Sequence, residues 1–173
     1  EKTTAIFTPA DIAPPEISLS PADGTEDVAL EAELTISFSE SVRLIDNSVI
    51  TAENVKGLLY VNIWNPEGDA IEFTVSVNAA RDEIALTPSE ALPSYEKIVF
   101  GLNDGLEDYS DNLAGSASGY FFTAGIPGFD IDPLSGITTT ETGLSDTFDV
   151  ALTSEPDAPV DLNLMSTDVT EGM

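Results

Sequence analysis

The sequence predicts an all-β fold, a β-sandwich, and three observations carry that prediction. Apolar residues recur at every second position over most of the chain, the period of a strand with one buried and one wet face. Turn-forming clusters separate these runs. Helical periodicity of 3.6 is missing except for about one turn at Ile50–Gly57. Seven or so short strands between frequent turns suit two sheets packed face to face.

Taken in order, Ile17–Ser20 is a first short strand, and Pro21-Ala22-Asp23-Gly24 a turn. Ala32–Ser39 alternates cleanly, with Leu34, Ile36 and Phe38 on one face. Thr51 is placed to cap the helical turn that Gly57 closes. Leu58–Trp64 is a strand, ended by Asn65-Pro66-Glu67-Gly68-Asp69. Ile71–Asn78 and Glu83–Thr87 alternate on either side of Ala79-Ala80-Arg81-Asp82, the pattern of a hairpin. Lys97–Asn103 and Tyr120–Thr123 complete the set, with Asn103-Asp104-Gly105 as a turn after the first. Further on, Thr147–Thr153 and Val160–Leu164 alternate as well. The predicted core is Ile17, Leu19, Leu34, Ile36, Phe38, Phe73, Val75, Val77, Ile84, Leu86, Ile98, Phe100 and Phe122.

Composition narrows the chemistry. The chain has 173 residues, 32 of them Asp or Glu and 5 Lys or Arg, for a net charge of −27. There is no Cys and no His. Cys- or His-based zinc sites, Cys nucleophiles and Ser-His-Asp triads are therefore excluded, and so is disulfide stapling. A surface this anionic repels phosphate, so no nucleic-acid partner is expected. Apolar residues make up 42% of the chain, too many for a disordered acidic tail. No apolar run approaches the roughly 18 residues of a membrane helix, so no membrane insertion is expected. The opening Glu1-Lys2-Thr3-Thr4 reads like a cut made inside a longer protein.

A short echo organises the chain. Phe7-Thr8-Pro9-Ala10-Asp11-Ile12-Ala13-Pro14 resembles Phe122-Thr123-Ala124-Gly125-Ile126-Pro127, about one sandwich domain later. Residues 1–13 then read as the end of a preceding module and linker, 14–124 as a complete domain, and 125–173 as a linker and a truncated further module.

Four stretches of residues 14–124 carry a family resemblance. They are Pro15-Glu16-Ile17 with Ser20-Pro21-Ala22-Asp23-Gly24, then Ile36-Ser37-Phe38-Ser39-Glu40-Ser41-Val42. The others are Ile84-Ala85-Leu86-Thr87-Pro88 with Leu92 and Tyr95, and Asp108-Tyr109-Ser110-Asp111-Asn112-Leu113 with Tyr120-Phe121-Phe122-Thr123. Together they resemble a bacterial immunoglobulin-like domain of the surface-layer-protein type. Asp111 departs from the pattern, standing where Gly is common. The resemblance implies an immunoglobulin-like β-sandwich with Greek-key connections. Residues Gly136–Leu152, with Thr140-Glu141-Thr142-Gly143 and Phe148-Asp149-Val150-Ala151-Leu152, are similar to the start of a Calx-beta-like repeat. Half a sandwich of that kind leaves an apolar face and an open edge, so it is expected to dock on a neighbour or pair with another copy.

Candidate sites are few. Asp104, Glu107, Asp108 and Asp111 crowd one loop and make a candidate calcium site, since calcium takes six to eight hard oxygens from flexible loops. The competing reading is a solvated loop whose side chains bond their own turns. Asp11, Asp130 and Asp132 make a second calcium candidate at the junction between modules. Tyr60, Asn62 and Trp64 fall on one face of a strand, a candidate stacking platform for sugar rings. The competing reading buries Trp64 over the end of the core. No catalytic residue and no obligatory cofactor is expected. The resemblance implies a non-catalytic structural or adhesive module of a large secreted or cell-surface bacterial protein. Its partners would be neighbouring domains of the same chain and a cell-surface protein or glycan. The alternatives are a carbohydrate-binding accessory module of a polysaccharide-degrading enzyme and a calcium-stiffened adhesin repeat.

Overall fold

A computed structural model describes residues 10–126, 128–133, 146–154 and 159–163. Its contacts divide the chain into two units, 1–124 and 125–173. In the first, one four-stranded sheet has the order β1 (Ile17–Ser20), β3 (Leu34–Phe38), β7 (Glu83–Pro88), β6 (Phe73–Val77). The other has the order β2 (Thr25–Val28), β10 (Ala117–Thr123), β8 (Lys97–Leu102), β5 (Leu59–Ile63). A two-stranded pair, β4 (Arg43–Leu44) with β9 (Leu106–Glu107), sits beside them. Every pairing is antiparallel except β2 with β10. The chain passes repeatedly from one sheet to the other, so neighbours in a sheet are mostly distant in sequence. The unit is an immunoglobulin-like β-sandwich.

The alternation explains the core. Leu34, Ile36, Ile84 and Leu86 from one sheet meet Ile98, Phe100 and Phe121 from the other, all fully buried. Phe100 and Phe121 pack edge to face with ring centroids 5.8 Å apart. Ile17, Leu19, Val75 and Val77 lie on the edge strands β1 and β6 and are only partly buried against this core. One predicted core residue is wrong. Phe122 is 36% exposed, and Phe121 takes the inward position. Three aromatics run together at Tyr120-Phe121-Phe122, so alternation within that segment cannot choose a face. Pairing chooses it: Phe121 lies opposite the buried Ile98, and Phe122 opposite Lys97.

The helical turn is α1, Ala52–Val55, continued by a 3-10 turn at Lys56–Leu58. Thr51 caps it, accepting from the Asn54 backbone N–H while the Asn54 side chain accepts from Thr51 N–H. Asp111, in place of the expected Gly, has φ +67°, the left-handed backbone for which Gly is the usual choice. Asp tolerates it better than most residues. The exposed edge of β5 is covered when residues 65–71 fold back, with Ile63 N–H donating to Asp69 O and Ile71 N–H to Val61 O.

In the second unit, β11 (Phe129–Asp132) pairs antiparallel with β12 (Asp149–Leu152). Val160–Asn163, expected to be a strand, are in neither strand nor helix. The remaining residues of that alternating run, the opening echo at 7–9 and most of the Calx-beta-like stretch lie outside the described residues. Among the described residues no helix is long and apolar enough to cross a membrane.

Candidate functional site

The acidic loop after β8 is arranged by its own backbone. Asp108 is fully buried, and its carboxylate accepts from Ser110 N–H, Asn112 N–H and Asn112 Nδ2 at 2.7–2.8 Å. Glu107 and Asp111 turn instead to Arg43, whose Nε donates to Glu107 at 3.0 Å and whose Nη2 donates to Asp111 at 2.5 Å. Asp104 lines a cleft with Ile45, Leu106 and Leu113. The four acids predicted as one calcium site are thus divided among three environments. Asp130 and Asp132 lie on β11 of the second unit, while Asp11 belongs to the first.

A different trio does converge. Carboxylate oxygens of Asp11, Glu40 and Asp108 all lie within 4.8 Å of one another. Sequence reading missed Glu40, because it is 68 positions from Asp108 and no local pattern joins them. Burial, and then the negative charges of Asp108 and Asp11, raise the Glu40 carboxyl above its ordinary value. Burial would raise Asp108 too, but the hydrogen bonds from Asn112 and Ser110 and the nearby Arg43 outweigh it and hold that carboxyl low.

The sign of the resulting pH dependence follows from linkage. Glu40 costs nothing while it is protonated in both states, below its ordinary value of 4.5. Above that value the unfolded chain ionises first and stability is lost, and the loss is complete once pH passes the raised folded value. Asp108 acts oppositely: its contribution is present above its ordinary value of 3.8 and disappears as pH falls through the lowered one. Glu40→Gln is therefore expected to melt higher than the parent at neutral pH, with the difference closing as pH drops below about 4.5. A difference that persists in acid would mean that packing, not charge, is at issue. Millimolar calcium is the control. A rise in the parent's Tm that Glu40→Gln lacks would make the trio a cation site, and identical melting in EDTA would leave calcium out.

Tyr60 and Asn62 fall on the outer face of the β2-β10-β8-β5 sheet, with Trp64 just past the end of β5. Register places Tyr60 beside Gly101 and Ser118, Asn62 beside Val99 and Tyr120, and Lys97 beside Phe122. Trp64 follows β5 immediately, and its N–H donates to Lys97 O at 2.8 Å. Tyr60 is half-buried over Gly101, where a Cβ would come within 2.6 Å of its hydroxyl oxygen and 2.2 Å of Ala117 O. Asn62 is not free to meet a ligand: it is buried, and its Nδ2 donates to Pro66 O. Trp64 does not fold over the core, being 60% exposed. The even spacing of a straight strand is also broken, because Trp64 has φ +70° and Asn65 N–H donates to Ile63 O across it at 2.9 Å. These features make a γ-turn of the rare, strained hand. The face has additional aromatics that local reading did not join to it. Tyr120 and Phe122 meet edge to face at 5.9 Å, and Lys97 Nζ stands 4.1 Å from the centre of the Tyr120 ring. Sheet pairing alone brings Tyr120 into line with Asn62, and Phe122 beside Lys97, whose carbonyl accepts from the Trp64 N–H.

No curated protein matches the chain. Among solved structures it resembles an L,D-transpeptidase from Mycobacterium smegmatis at 17% identity and TM-score 0.43, over 66% of this chain and 42% of that one. It also resembles CopC from Methylosinus trichosporium at 12% identity and TM-score 0.41, over 64% of this chain and 93% of that one. The S-layer protein rSbsC is similar at 12% identity and TM-score 0.44, over 76% of this chain and 19% of that one. The chain thus spans 42% of the transpeptidase's length, and likenesses this distant carry no argument about activity. A family model described as a bacterial Ig-like domain matches residues 10–124. That span contains both sheets and all the buried core, and on this match the chain belongs to the bacterial Ig-like domain family.

Proposed function

We propose that this chain is a non-catalytic structural module of a large secreted or cell-surface bacterial protein, one that spaces or presents other parts of it. The observation that supports the reading is where the chain enters and leaves the sandwich. β1 starts beside Ser39, whose N–H donates to Glu16 O, and the carboxylate of the adjacent Glu40 lies near that of Asp108, in the loop that follows β9. β10 ends at the opposite end, where Thr123 N–H donates to Glu96 O just before β8 and Ala124 N–H donates to Val28 O. Tension along the chain therefore acts parallel to the strands. It loads the β1–β3, β2–β10 and β10–β8 hydrogen bonds together, since these bonds run across the strands. The surface-layer type of the resemblance and the reading of 125–173 as the start of a Calx-beta-like module belong to the same proposal. Both make the chain part of an array in which each module passes load to the next.

Single-molecule pulling tests it. The chain has no cysteine, so attachment cysteines at Ala13 and Ala124 are unique. The expected result is a single all-or-none rupture of residues 14–124, because forced unfolding reports the unfolding barrier. Gradual extension with no rupture peak would overturn the spacer reading.

A further inference from the structure

Trp64 is a bulky aromatic held at positive φ and exposed to water. A positive φ is strained for a bulky L-residue. Such strain persists where its surroundings enforce it, and it clusters at functional positions. Neither the core nor the load path described above uses this ring. Its surroundings are unusual in charge as well. In a chain with 32 carboxylates, none of the outward positions of β5, β8 and β10 is acidic, and Lys97, one of only 5 basic residues, lies among them. Carboxylates return on the edge strand, at Glu26 and Asp27 of β2.

From this we infer that the outer face of the β2-β10-β8-β5 sheet, centred on Trp64, Lys97 and Phe122, binds an uncharged polysaccharide strand. Charge selects the occupant. Nucleic acid, an anionic membrane or a second copy of this chain would meet a net charge of −27, whereas a neutral glycan meets no long-range repulsion. On the three strands β5, β8 and β10 that carry these side chains there is no outward carboxylate to desolvate, and the acids of β2 lie at the edge. Exposed aromatic rings offer apolar area to the C–H faces of sugar rings, and Lys97 and the Tyr60 hydroxyl offer hydrogen bonds to their hydroxyls. Tyr60 and Tyr120 are half-buried on the same face and give it rigidity, with Lys97 braced over the Tyr120 ring.

Trp64 is the only tryptophan, so its fluorescence reports the face directly. The probes are cellohexaose, mannohexaose and chitohexaose, with oligogalacturonate as the anionic comparison. At least one neutral hexaose is expected to shift the emission saturably. Phe122→Ala should weaken that binding tenfold or more while the circular dichroism spectrum stays unchanged and melting shifts by only a few degrees. Trp64→Gly, read by calorimetry, should lose binding and melt higher than the parent, because Gly adopts φ +70° without strain. No response to any neutral hexaose at millimolar concentration would overturn the inference. So would a response to oligogalacturonate alone, a response indifferent to both substitutions, or concentration-dependent self-association that Trp64→Gly abolishes.

Discussion

Phe121→Ala is expected to lower the stability of the sandwich by about 3–5 kcal/mol, while the same change one residue along, Phe122→Ala, costs under about 1 kcal/mol. The two rings are chemically identical and adjacent in sequence, so the contrast isolates which face each occupies. Phe121 is fully buried, packs edge to face on Phe100, and sits where β10 brings it opposite Ile98. Removing its ring leaves a cavity between the two sheets that neighbouring strands on both sides prevent from collapsing. Phe122 is 36% exposed, and its loss removes one contact with Tyr120. Urea melts of both variants measure the difference. Equal costs would show that β10 is offset by one residue, which would exchange every side chain of the strand between core and water.

That pair also marks how far the sequence could be read. Leu34-Thr35-Ile36-Ser37-Phe38 declares its buried face without help, because polar residues separate the apolar ones. The hairpin from β6 to β7 and the Thr51 cap are equally local, since their signals lie within a few residues of each other. Tyr120-Phe121-Phe122 carries no such contrast, and its orientation is decided by β8 across the sheet. The candidate sites follow the same division. Crowding of Asp104, Glu107, Asp108 and Asp111 is visible in one dimension, but their separation is not. A single side chain, Arg43, divides them from more than 60 positions away. The convergence of Asp11, Glu40 and Asp108 and the meeting of Phe122 and the Trp64 backbone at Lys97 are likewise products of the tertiary fold. Trp64 adds a backbone effect. Its γ-turn ends the alternation of β5 one residue early, and nothing in Asn62-Ile63-Trp64-Asn65-Pro66 announces a positive φ at a tryptophan.

Arg43 is the second place where a single substitution should have a large effect. It lies on the short strand β4 directly opposite Glu107 of β9, and their side chains are 13% and 8% exposed. Taking two charges out of water is costly, and the pair offsets that cost only while both members remain. Arg43→Ala leaves the Glu107 carboxylate buried without its counter-ion, and it also frees Asp111 and removes the guanidinium 5.3 Å from the centre of the Tyr109 ring. The expected loss is about 3–5 kcal/mol. Replacing both partners tests whether the cost comes from the stranded charge or from the pair's attraction. Arg43→Met with Glu107→Leu should recover most of the loss, because neither member of the pair then leaves its partner's charge stranded, while Asp108 keeps its own hydrogen bonds from Ser110 and Asn112. Asp111→Ala should behave differently again. Its side chain is 77% exposed, so the ion pair is worth about 1 kcal/mol or less, and any larger loss would come from alanine at φ +67°. Asp111→Gly separates those two contributions, since it removes the carboxylate and relieves the backbone together. If Arg43→Ala and the double variant were equally destabilised, the guanidinium would be holding the loop by packing and hydrogen bonds rather than by neutralising Glu107. In both variants the acidic segment would then be held by Asp108 and its backbone contacts alone.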